Sequence, residues 1–250
     1  MKIYLAGNGL WTWVDSAIVG DGTSKHFAPY ILESYFYVNG ETERQIPYMG
    51  DFLLDSGAFT FMLNNKSQLN WEQYIEQYAE FIKRNKVEKF FELDIDSVVG
   101  YEKVLKYRER LEQLTEKKCI PVWHKSRGIE DFYKMCGEYK YAAIGGIVVK
   151  EIKPEHYSIL TRLITEAHKR NCKIHGLGFT ALKWLKRCHF DSVDSTAWTA
   201  GSRFGYIYYF DGKTMQKQNV PKGKKLTPKA TALHNFKEWV KFQKYAETHL

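Results

Sequence analysis

The chain alternates between short apolar runs and longer amphipathic segments. Five segments repeat apolar residues at i, i+3 and i+4, as helices that pack on one face do; they cover residues 70–85, 100–117, 128–139, 154–170 and 180–187. Eight runs rich in Ile, Val, Leu, Phe or Tyr have the character of strands; they lie near residues 2–6, 34–38, 51–54, 89–94, 119–123, 141–147, 172–177 and 190–194. This alternation predicts an α/β fold, specifically a (β/α)8 barrel of the TIM type.

Two segments do not follow the alternation. Residues 7–33, which join the first two predicted strands, are long and poorly patterned, whereas residues 205–213 (GYIYYFDGK) predict an extra strand or hairpin. Asn70 and Pro154 stand where a helix start needs a cap or a fixed φ. These two residues therefore mark predicted helix starts.

The length of 250 residues suits one large domain. We expect a single catalytic barrel domain over residues 1–250, with a core over 1–205 and a basic C-terminal extension over 206–250. No apolar run reaches 18 residues and the N-terminus lacks the order of a signal peptide, so we expect no membrane span and a cytoplasmic location. Four widely spaced cysteines suggest buried free thiols; they are Cys119, Cys136, Cys172 and Cys188.

The net charge of +8 is concentrated at the C-terminal end. From Lys213 onward nine lysines stand against Glu238 and Glu247, in a stretch that Pro and Gly mark as an exposed loop before a final helix. Such a loop is either a solvated face or a contact for nucleic-acid phosphates. The lysines assigned to a nucleic-acid backbone are Lys213, Lys217, Lys222, Lys224, Lys225 and Lys229.

Six predicted strands end in carboxylates, imidazoles or glycines. Because the downstream ends of parallel strands meet on one face of a barrel, these groups are expected to form one site. The segments are LLDSGAF (Asp55), FFELDID (Asp94, Asp96), IPVWHK (His124), AAIGGI (Gly145, Gly146), KIHGLG (His175) and FDSVDSTAW (Asp191, Asp194).

Each segment also has a purely structural interpretation. The carboxylate and glycine of LLDSGAF are common in turns, and the glycine pair suits either strand packing or close approach of a flat ligand. In a regular strand Glu92, Asp94 and Asp96 share one face, where three carboxylates repel one another. We therefore expect at least one of these acids to lie beyond the strand.

These segments resemble the tRNA-guanine transglycosylase superfamily, and more closely its small phage-type relatives that exchange guanine for a 7-deazaguanine in DNA. DSGAF, with Asp55, is similar to the family's DSGGF motif, whose aspartate lies over the target base and takes part in proton transfer. AIGGIVVKE is similar to the family's glycine pair, whose backbone contacts the base, and Glu151 stands where an acidic residue is often found.

The remaining motifs extend the resemblance over roughly residues 50–205, about three fifths of the chain. Asp94 or Asp96 matches the aspartate that hydrogen-bonds the edge of the purine. In FDSVDST, Asp194 is similar to the nucleophile that attacks the sugar C1′, and Asp191 to the acidic residue three positions before it. The order and spacing of the motifs are more specific than any one of them.

The residue types suit the chemistry that the resemblance implies. A carboxylate below C1′ stabilises or captures the positive sugar, and an acid above it protonates the departing base; Asp194 would do the first and Asp55 the second. A duplex base must first be flipped into the pocket, where aromatic rings stack on it. We assign base contacts to Asp94, Asp96, His124, Gly145, Gly146, His175 and Trp198, and supporting roles to Asp191 and Glu151.

Two departures from the family refine these expectations. No cysteine follows Cys188, so the zinc-binding subdomain of the tRNA enzymes is missing, which favours DNA over tRNA and predicts neither a metal nor a cofactor. IPVWHK carries Trp123 and His124 where the family has a Gln-Gly pair. A changed edge-reading group implies that a changed or enlarged base is read.

Several functions remain open on the sequence alone. Exchange of guanine for a 7-deazaguanine, with a free nucleobase as second substrate, is the first expectation. Hydrolysis of the same intermediate would make the chain a DNA glycosylase that excises a modified phage-type base and leaves an abasic site. Further alternatives are a tRNA-guanine transglycosylase, a non-catalytic nucleic-acid-binding barrel, and a metal-dependent hydrolase built on Asp94, Asp96, His124 and His175.

Overall fold

The computed structural model describes residues 1–7, 29–57, 60, 70–219 and 227–250. Its centre is a curled sheet of seven parallel strands in the order β3-β2-β1-β7-β6-β5-β4. The strands are β1 (Lys2–Ala6), β2 (Tyr30–Ser34), β3 (Asp51–Asp55), β4 (Val122–Trp123), β5 (Tyr141–Ile144), β6 (Lys173–Gly176) and β7 (Ser192–Ser195). The sequence prediction of an α/β fold with a parallel sheet is confirmed.

A short segment lies between β3 and the residues that lead into β4, which are at the two edges of this sheet. Phe90 forms a parallel bridge with Leu54, and Phe91 forms one with Ile120. Phe91 N donates to Leu54 O at 2.9 Å, and Ile120 N donates to Phe90 O at 2.8 Å. The run predicted as a strand over residues 89–94 is therefore a pair of isolated bridges in the expected place, not a full strand.

The second strand begins four residues before its predicted position. Strand β2 covers Tyr30–Ser34, whereas the prediction was 34–38. Residues 35–37 form a turn, and the Tyr35 ring packs beside Tyr78 with 5.0 Å between ring centroids. The aromatic residues that suggested a strand thus pack against a helix outside the sheet.

Every segment with helical periodicity is a helix. Asn70 caps the helix that starts at Trp71, since its side chain accepts from Gln73 N at 3.2 Å, and Pro154 begins a 3₁₀ turn before the helix from Tyr157. The helices are α1 (Gly40–Gln45), α2 (Trp71–Arg84), α3 (Asp96–Val99), α4 (Tyr101–Thr115), α5 (Gly128–Glu138), α6 (Tyr157–Lys169), α7 (Leu182–Cys188), α8 (Ala197–Phe204) and α9 (Pro228–His249).

The core lies on both faces of the sheet. A cluster that includes Tyr4, Leu53, Phe91 and Val122 contains strand residues but no helix residue, so it fills the concave face. Two larger clusters pack the helices on the convex face. All four cysteines are buried and free, as expected.

The C-terminal part forms a hairpin and a long helix. Strands β8 (Tyr206–Phe210) and β9 (Met215–Asn219) pair antiparallel, which confirms the hairpin predicted near residues 205–213. The buried Gln243 in α9 donates to Ile3 O at 2.7 Å and to Tyr30 O at 2.8 Å, which ties α9 to β1 and β2. No helix among the described residues has the length and apolar character needed to cross a membrane.

Candidate active site

The polar strand ends meet at the carboxyl end of the parallel sheet. Asp55 is the last residue of β3, and His124 directly follows β4. Asp194 lies in β7, paired in register with Tyr4 of β1. Because all these strands run in one direction, their side chains occupy the same end of the fold. The sequence prediction of one shared site is consistent with this arrangement.

Asp194 is held in a fixed orientation. Its Oδ1 accepts a hydrogen bond from Gly178 N at 2.6 Å and lies 3.2 Å from His175 Nε2. His175 is fully buried, and its Nδ1 lies 2.6 Å from Ser192 Oγ. Within the part of the chain that the structure describes, the hydrogen-bond contacts of Asp194 involve Oδ1, so an oriented carboxylate can present its other oxygen to a ligand.

Asp55 lies in a tight turn, and its carboxyl group has a raised pKa. Its Oδ2 accepts from Gly57 N at 2.9 Å, and Gly57 has φ of +79°. A Cβ at Gly57 would lie 2.8 Å from Phe36 Cβ, so the glycine of DSGAF is required by the turn. Burial, together with the negative charges of Asp194 and Asp94, raises the pKa of Asp55 to about 6. This carboxyl group therefore holds a proton near neutral pH far better than an ordinary aspartate.

His124 bridges two carboxylates. Its Nε2 lies 2.8 Å from Asp94 Oδ1 and 3.0 Å from Asp94 Oδ2, and its Nδ1 lies 3.1 Å from Glu151 Oε2. Glu151 Oε1 also accepts from Ser126 N at 2.7 Å. Burial lowers the pKa of His124, but the hydrogen bonds and charges of the two carboxylates outweigh it and raise the pKa to about 9. The imidazole is therefore a cation at neutral pH.

The glycine pair makes room for this arrangement. A Cβ on Gly145 would lie 2.9 Å from His124 Cε1, and a Cβ on Gly146 would lie 2.5 Å from Glu151 Oε2. Gly146 also has φ of +75°, which side chains rarely adopt. The two glycines thus allow His124 and Glu151 to pack against the backbone after β5, a contact that the sequence did not reveal.

The three acids of ELDID do not share a face. Glu92 is buried and receives hydrogen bonds from Arg108 Nε at 2.6 Å and from Val122 N at 2.6 Å. Asp96 begins α3 and pairs with Arg127, whose Nη2 lies 2.8 Å from Oδ2. Burial raises the pKa of Asp96, but Arg127 outweighs this and lowers it. Residues 92–95 are not in a regular strand, so strand alternation does not apply to these acids.

Asp94, Asp96 and His124 are the candidate metal ligands, with ligand atoms within 4.8 Å of one another. These donors fit a cation poorly, because both His124 nitrogens already face carboxylates and Arg127 is paired with Asp96. His175, the fourth residue of the metal hypothesis, contacts Asp194 instead. The group therefore acts as an ion-pair network.

Two residues that the sequence assigned to the site, Asp191 and Trp198, have structural contacts instead. Asp191 precedes β7, and its Oδ2 accepts from Ile174 N at 2.7 Å and lies 2.8 Å from His168 Nε2. This contact is at the amino end of the strands, opposite the site. Trp198 lies in α8, is 4% exposed, and donates from Nε1 to Ala6 O at 2.8 Å. Its ring is part of the packing between α8 and the sheet.

The basic extension is described only in part. Lys217 Nζ lies 3.6 Å from the centroid of the Tyr206 ring on the β8–β9 hairpin, and Lys213 lies in the turn between these strands. Lys229 lies in the first turn of α9. The predicted contacts Lys222, Lys224 and Lys225 lie outside the described residues.

Sequence reasoning missed three groups that shape the site. They are the backbone N–H of Gly178, the Ser192 hydroxyl and the Arg127 guanidinium. Gly178 belongs to the same HGLG segment as His175, so a glycine following a polar strand end was the available signal. The other two have no local signal, because their partners, His175 and Asp96, lie far away in the sequence.

Comparison with known proteins gives no family. No protein-family model and no curated protein matches this chain. The carboxyl transferase domain from Rhizobium etli pyruvate carboxylase superposes with a TM-score of 0.41 and 11% identity, over 98% of this chain and 48% of that one. Rhizobium etli pyruvate carboxylase crystallized without acetyl coenzyme-A gives 0.41 and 10%, over 98% and 28%. This chain spans about half the length of the first of these chains and less than a third of the second. We draw no functional inference from either.

Proposed function

We propose that this protein breaks the N-glycosidic bond of a nucleotide flipped out of DNA, with Asp194 as nucleophile and Asp55 as acid. The observation that carries the proposal is the different environment of the two carboxylates at one end of the sheet. Asp194 is oriented by Gly178 N and His175, whereas burial and nearby negative charge raise the pKa of Asp55 to about 6. An oriented carboxylate is suited to the nucleophile role, and a carboxyl group whose pKa is raised towards neutrality is suited to the acid role.

The reaction follows from these roles. Asp194 attacks C1′, a bond forms between C1′ and a carboxylate oxygen, and the bond from C1′ to the base nitrogen breaks. Asp55 donates its proton to the departing base, which takes the bonding electrons. The products are a neutral free base and a covalent sugar ester on Asp194. Asp55 is then an anion that is ready to accept a proton.

The resemblance to base exchangers favours exchange in the second step. A free base attacks C1′ through its nitrogen, Asp194 leaves as a carboxylate, and Asp55 removes the proton from the incoming base. Guanine as the departing base and a 7-deazaguanine as the incoming one are the first choice. With water in place of the incoming base, the same step is hydrolysis.

A specific contact favours excision of another base as the second candidate. Guanine presents two neighbouring N–H donors, which a carboxylate receives with both oxygens. His124 Nε2 already lies within 3.0 Å of both oxygens of Asp94. A base with a single amino donor needs only one of the acceptor sites that His124 leaves on Asp94, so a modified base other than guanine makes a smaller demand on this carboxylate.

The fold belongs to the same proposal. We take residues 89–92 as an eighth strand, because parallel bridges join Phe90 to Leu54 in β3 and Phe91 to Ile120, two residues before β4. A closed (β/α)8 barrel would place the catalytic groups on its carboxyl face. The lysines of the extension that the structure describes are exposed, and with the charge of the whole stretch they support DNA as partner. The four buried free thiols support a reducing compartment such as the cytoplasm.

The test is a search for released bases. The protein is incubated with ordinary DNA, phage DNA that contains modified bases, and bulk tRNA, with and without added 7-deazaguanine, and products are analysed by mass spectrometry. Release with incorporation indicates exchange, and release with abasic sites indicates excision. Release from tRNA alone would move the substrate from DNA to tRNA. If no substrate yields a base, the enzymatic proposal fails and a nucleic-acid-binding barrel takes its place.

A further inference from the structure

The turn after β5 is rigid and closed. Gly146 O accepts from Glu151 N at 2.9 Å and from Ile152 N at 3.2 Å, and Lys150 N donates to Ile147 O at 3.2 Å. Gly146 and Lys150 both have positive φ, +75° and +61°. Ile147 and Ile152 are buried in the main core cluster, so both ends of the turn are anchored.

The tip of this turn is apolar and exposed. Val148 is 61% exposed and Val149 is 56% exposed. Among the exposed large hydrophobic residues of the described chain, these two alone are neighbours in sequence. Turn tips usually carry Gly, Asn, Asp or Ser, and an exposed apolar pair on a closed turn marks a contact surface.

The tip stands beside the candidate nucleophile. Val148 Cγ2 lies 2.3 Å from the position that a Cβ on Gly178 would take, so this valine packs directly on the Gly178 backbone. Gly178 N is the group that donates to Asp194 Oδ1 at 2.6 Å. The other end of the turn supplies Glu151, which contacts His124. The valine pair is therefore at the rim of the proposed pocket.

Three exposed lysines lie on the loop that carries the tip and on the loop after β4. Lys150 and Lys153 are exposed on the same loop, and Lys125 is exposed on the neighbouring loop after β4. An apolar tip flanked by lysines matches the section of a DNA duplex, in which stacked bases lie between two rows of phosphates. Valine side chains are stiff at χ1, so little conformational freedom is lost when they insert.

We propose that Val148 and Val149 enter the base stack of double-stranded DNA and fill the gap left by the nucleotide that turns into the site. The proposal rests on the proposed function, and it names duplex DNA as the form in which the substrate is taken. Apolar wedges between base steps are an established means of unstacking DNA. The lysines contact the flanking phosphates, and the rigid turn keeps the tip at a fixed distance from Asp194.

The first test compares duplex with single-stranded substrate. In Val149→Ser, the ratio of base release from the duplex to release from the same single strand is expected to fall by about tenfold or more, because unstacking is no longer assisted. Ile159→Ser is the matched control, since Ile159 is 48% exposed on the outer helix α6. An unchanged ratio in Val149→Ser would overturn the wedge while the proposed function stands.

The second test needs no catalysis. Four duplexes carry guanine, 7-deazaguanine, cytosine or 5-hydroxymethylcytosine next to 2-aminopurine, whose fluorescence rises on unstacking, and Asp194→Asn protein is added to each. The wedge is supported if Asp194→Asn protein raises the fluorescence and the same protein with Val149→Ser added does not. This result counts even if the native protein releases no base and the proposed function fails. No rise with any duplex, or an equal rise with the variant, overturns it.

Discussion

Nε2 of His124 lies nearly midway between the two carboxylate oxygens of Asp94, at 2.8 Å from Oδ1 and 3.0 Å from Oδ2. The other ring nitrogen contacts Glu151 at 3.1 Å. A cationic imidazole thus lies between two anions at the edge of the proposed base pocket. It restricts the directions in which Asp94 accepts further hydrogen bonds, and it links Asp94 to the loop that carries the valine tip.

This relationship predicts a pH-dependent contribution to stability. The pKa of His124 is about 9 in the folded protein, above its ordinary value of 6.5. The stabilisation is therefore complete below pH 6.5 and is lost as the pH rises through about 9; its full size is about 3 kcal/mol. In thermal melts, the melting temperature of His124→Gln should be furthest below that of the native protein at pH 6. The difference between the two melting temperatures should narrow by pH 9.5. His168→Gln, which removes an exposed pair, should change the melting temperature little at either pH. A gap for His124→Gln that stays constant over this range would contradict the charged imidazole.

For Asp55 we predict that removing the charge raises the stability of the protein but lowers its activity. Its pKa is raised from 3.8 to about 6, so the folded protein loses stability as the pH rises from about 4 through 6, by up to about 3 kcal/mol. Asp55→Asn should therefore melt higher than the native protein at pH 7.5 and equally at pH 4, while base release falls. Native activity should also decline above about pH 6, where Asp55 loses its proton. A melting temperature of the variant below that of the native protein at pH 7.5 would show that the ionised Asp55 carboxylate does not destabilise the fold.

Asp194 and Asp191 form a matched pair, since they are three residues apart at opposite ends of β7. Asp194→Asn should reduce the rate of base release by about a thousandfold or more, because an amide is a poor nucleophile. Asp191→Asn should keep its activity, and its melting temperature should fall because the hydrogen bond from Ile174 N to the carboxylate weakens. Rates are measured under single-turnover conditions. Equal losses in the two variants would remove Asp194 as the nucleophile.

The close packing around the glycine pair predicts that an alanine at Gly146 is harmful, whereas an alanine at Gly137 is not. Gly146→Ala should displace Glu151 and with it His124, because the new Cβ would meet Oε2 at 2.5 Å at a φ of +75°. We expect destabilisation of about 1–3 kcal/mol and a loss of base release. Gly137→Ala is the control: it lies in α5 with no atom within 4 Å of the new Cβ, and it should stabilise the protein by up to about 1 kcal/mol. Denaturant melts measure both, and an unaffected Gly146→Ala would contradict the packing described.

The basic extension predicts a change in salt dependence. Replacing Lys213, Lys217 and Lys229 by Gln should reduce the slope of log affinity for duplex DNA against log salt by about 3, one for each lost phosphate contact. Replacing Lys117 and Lys118, which pair with Glu88 and Glu112, should leave the slope unchanged. The slope comes from titrations at several salt concentrations. If the extension variant keeps the native slope, these lysines do not contact phosphates.

The sequence by itself determined most elements and the end of the sheet at which the candidate site lies. The helix segments and most strands follow from local periodicity, because burial of one face imposes a repeat of 3.6 or 2 residues. Polar residues at successive strand ends predicted Asp55, Asp94, His124 and Asp194 as neighbours, since parallel strands end together. The fold class and the candidate residues were thus open to local reasoning.

Only the tertiary structure decided how these residues pair. Glu92 is neutralised by Arg108, Asp94 faces His124, and the glycine pair is required by side chains that approach from other loops. The turn at residues 35–37 likewise depends on packing against α2, which outweighs the strand preference of its aromatic residues. Local patterns report which face of an element is buried. They do not report which charge lies within 3 Å, because that distance is set by contacts between residues far apart in the chain.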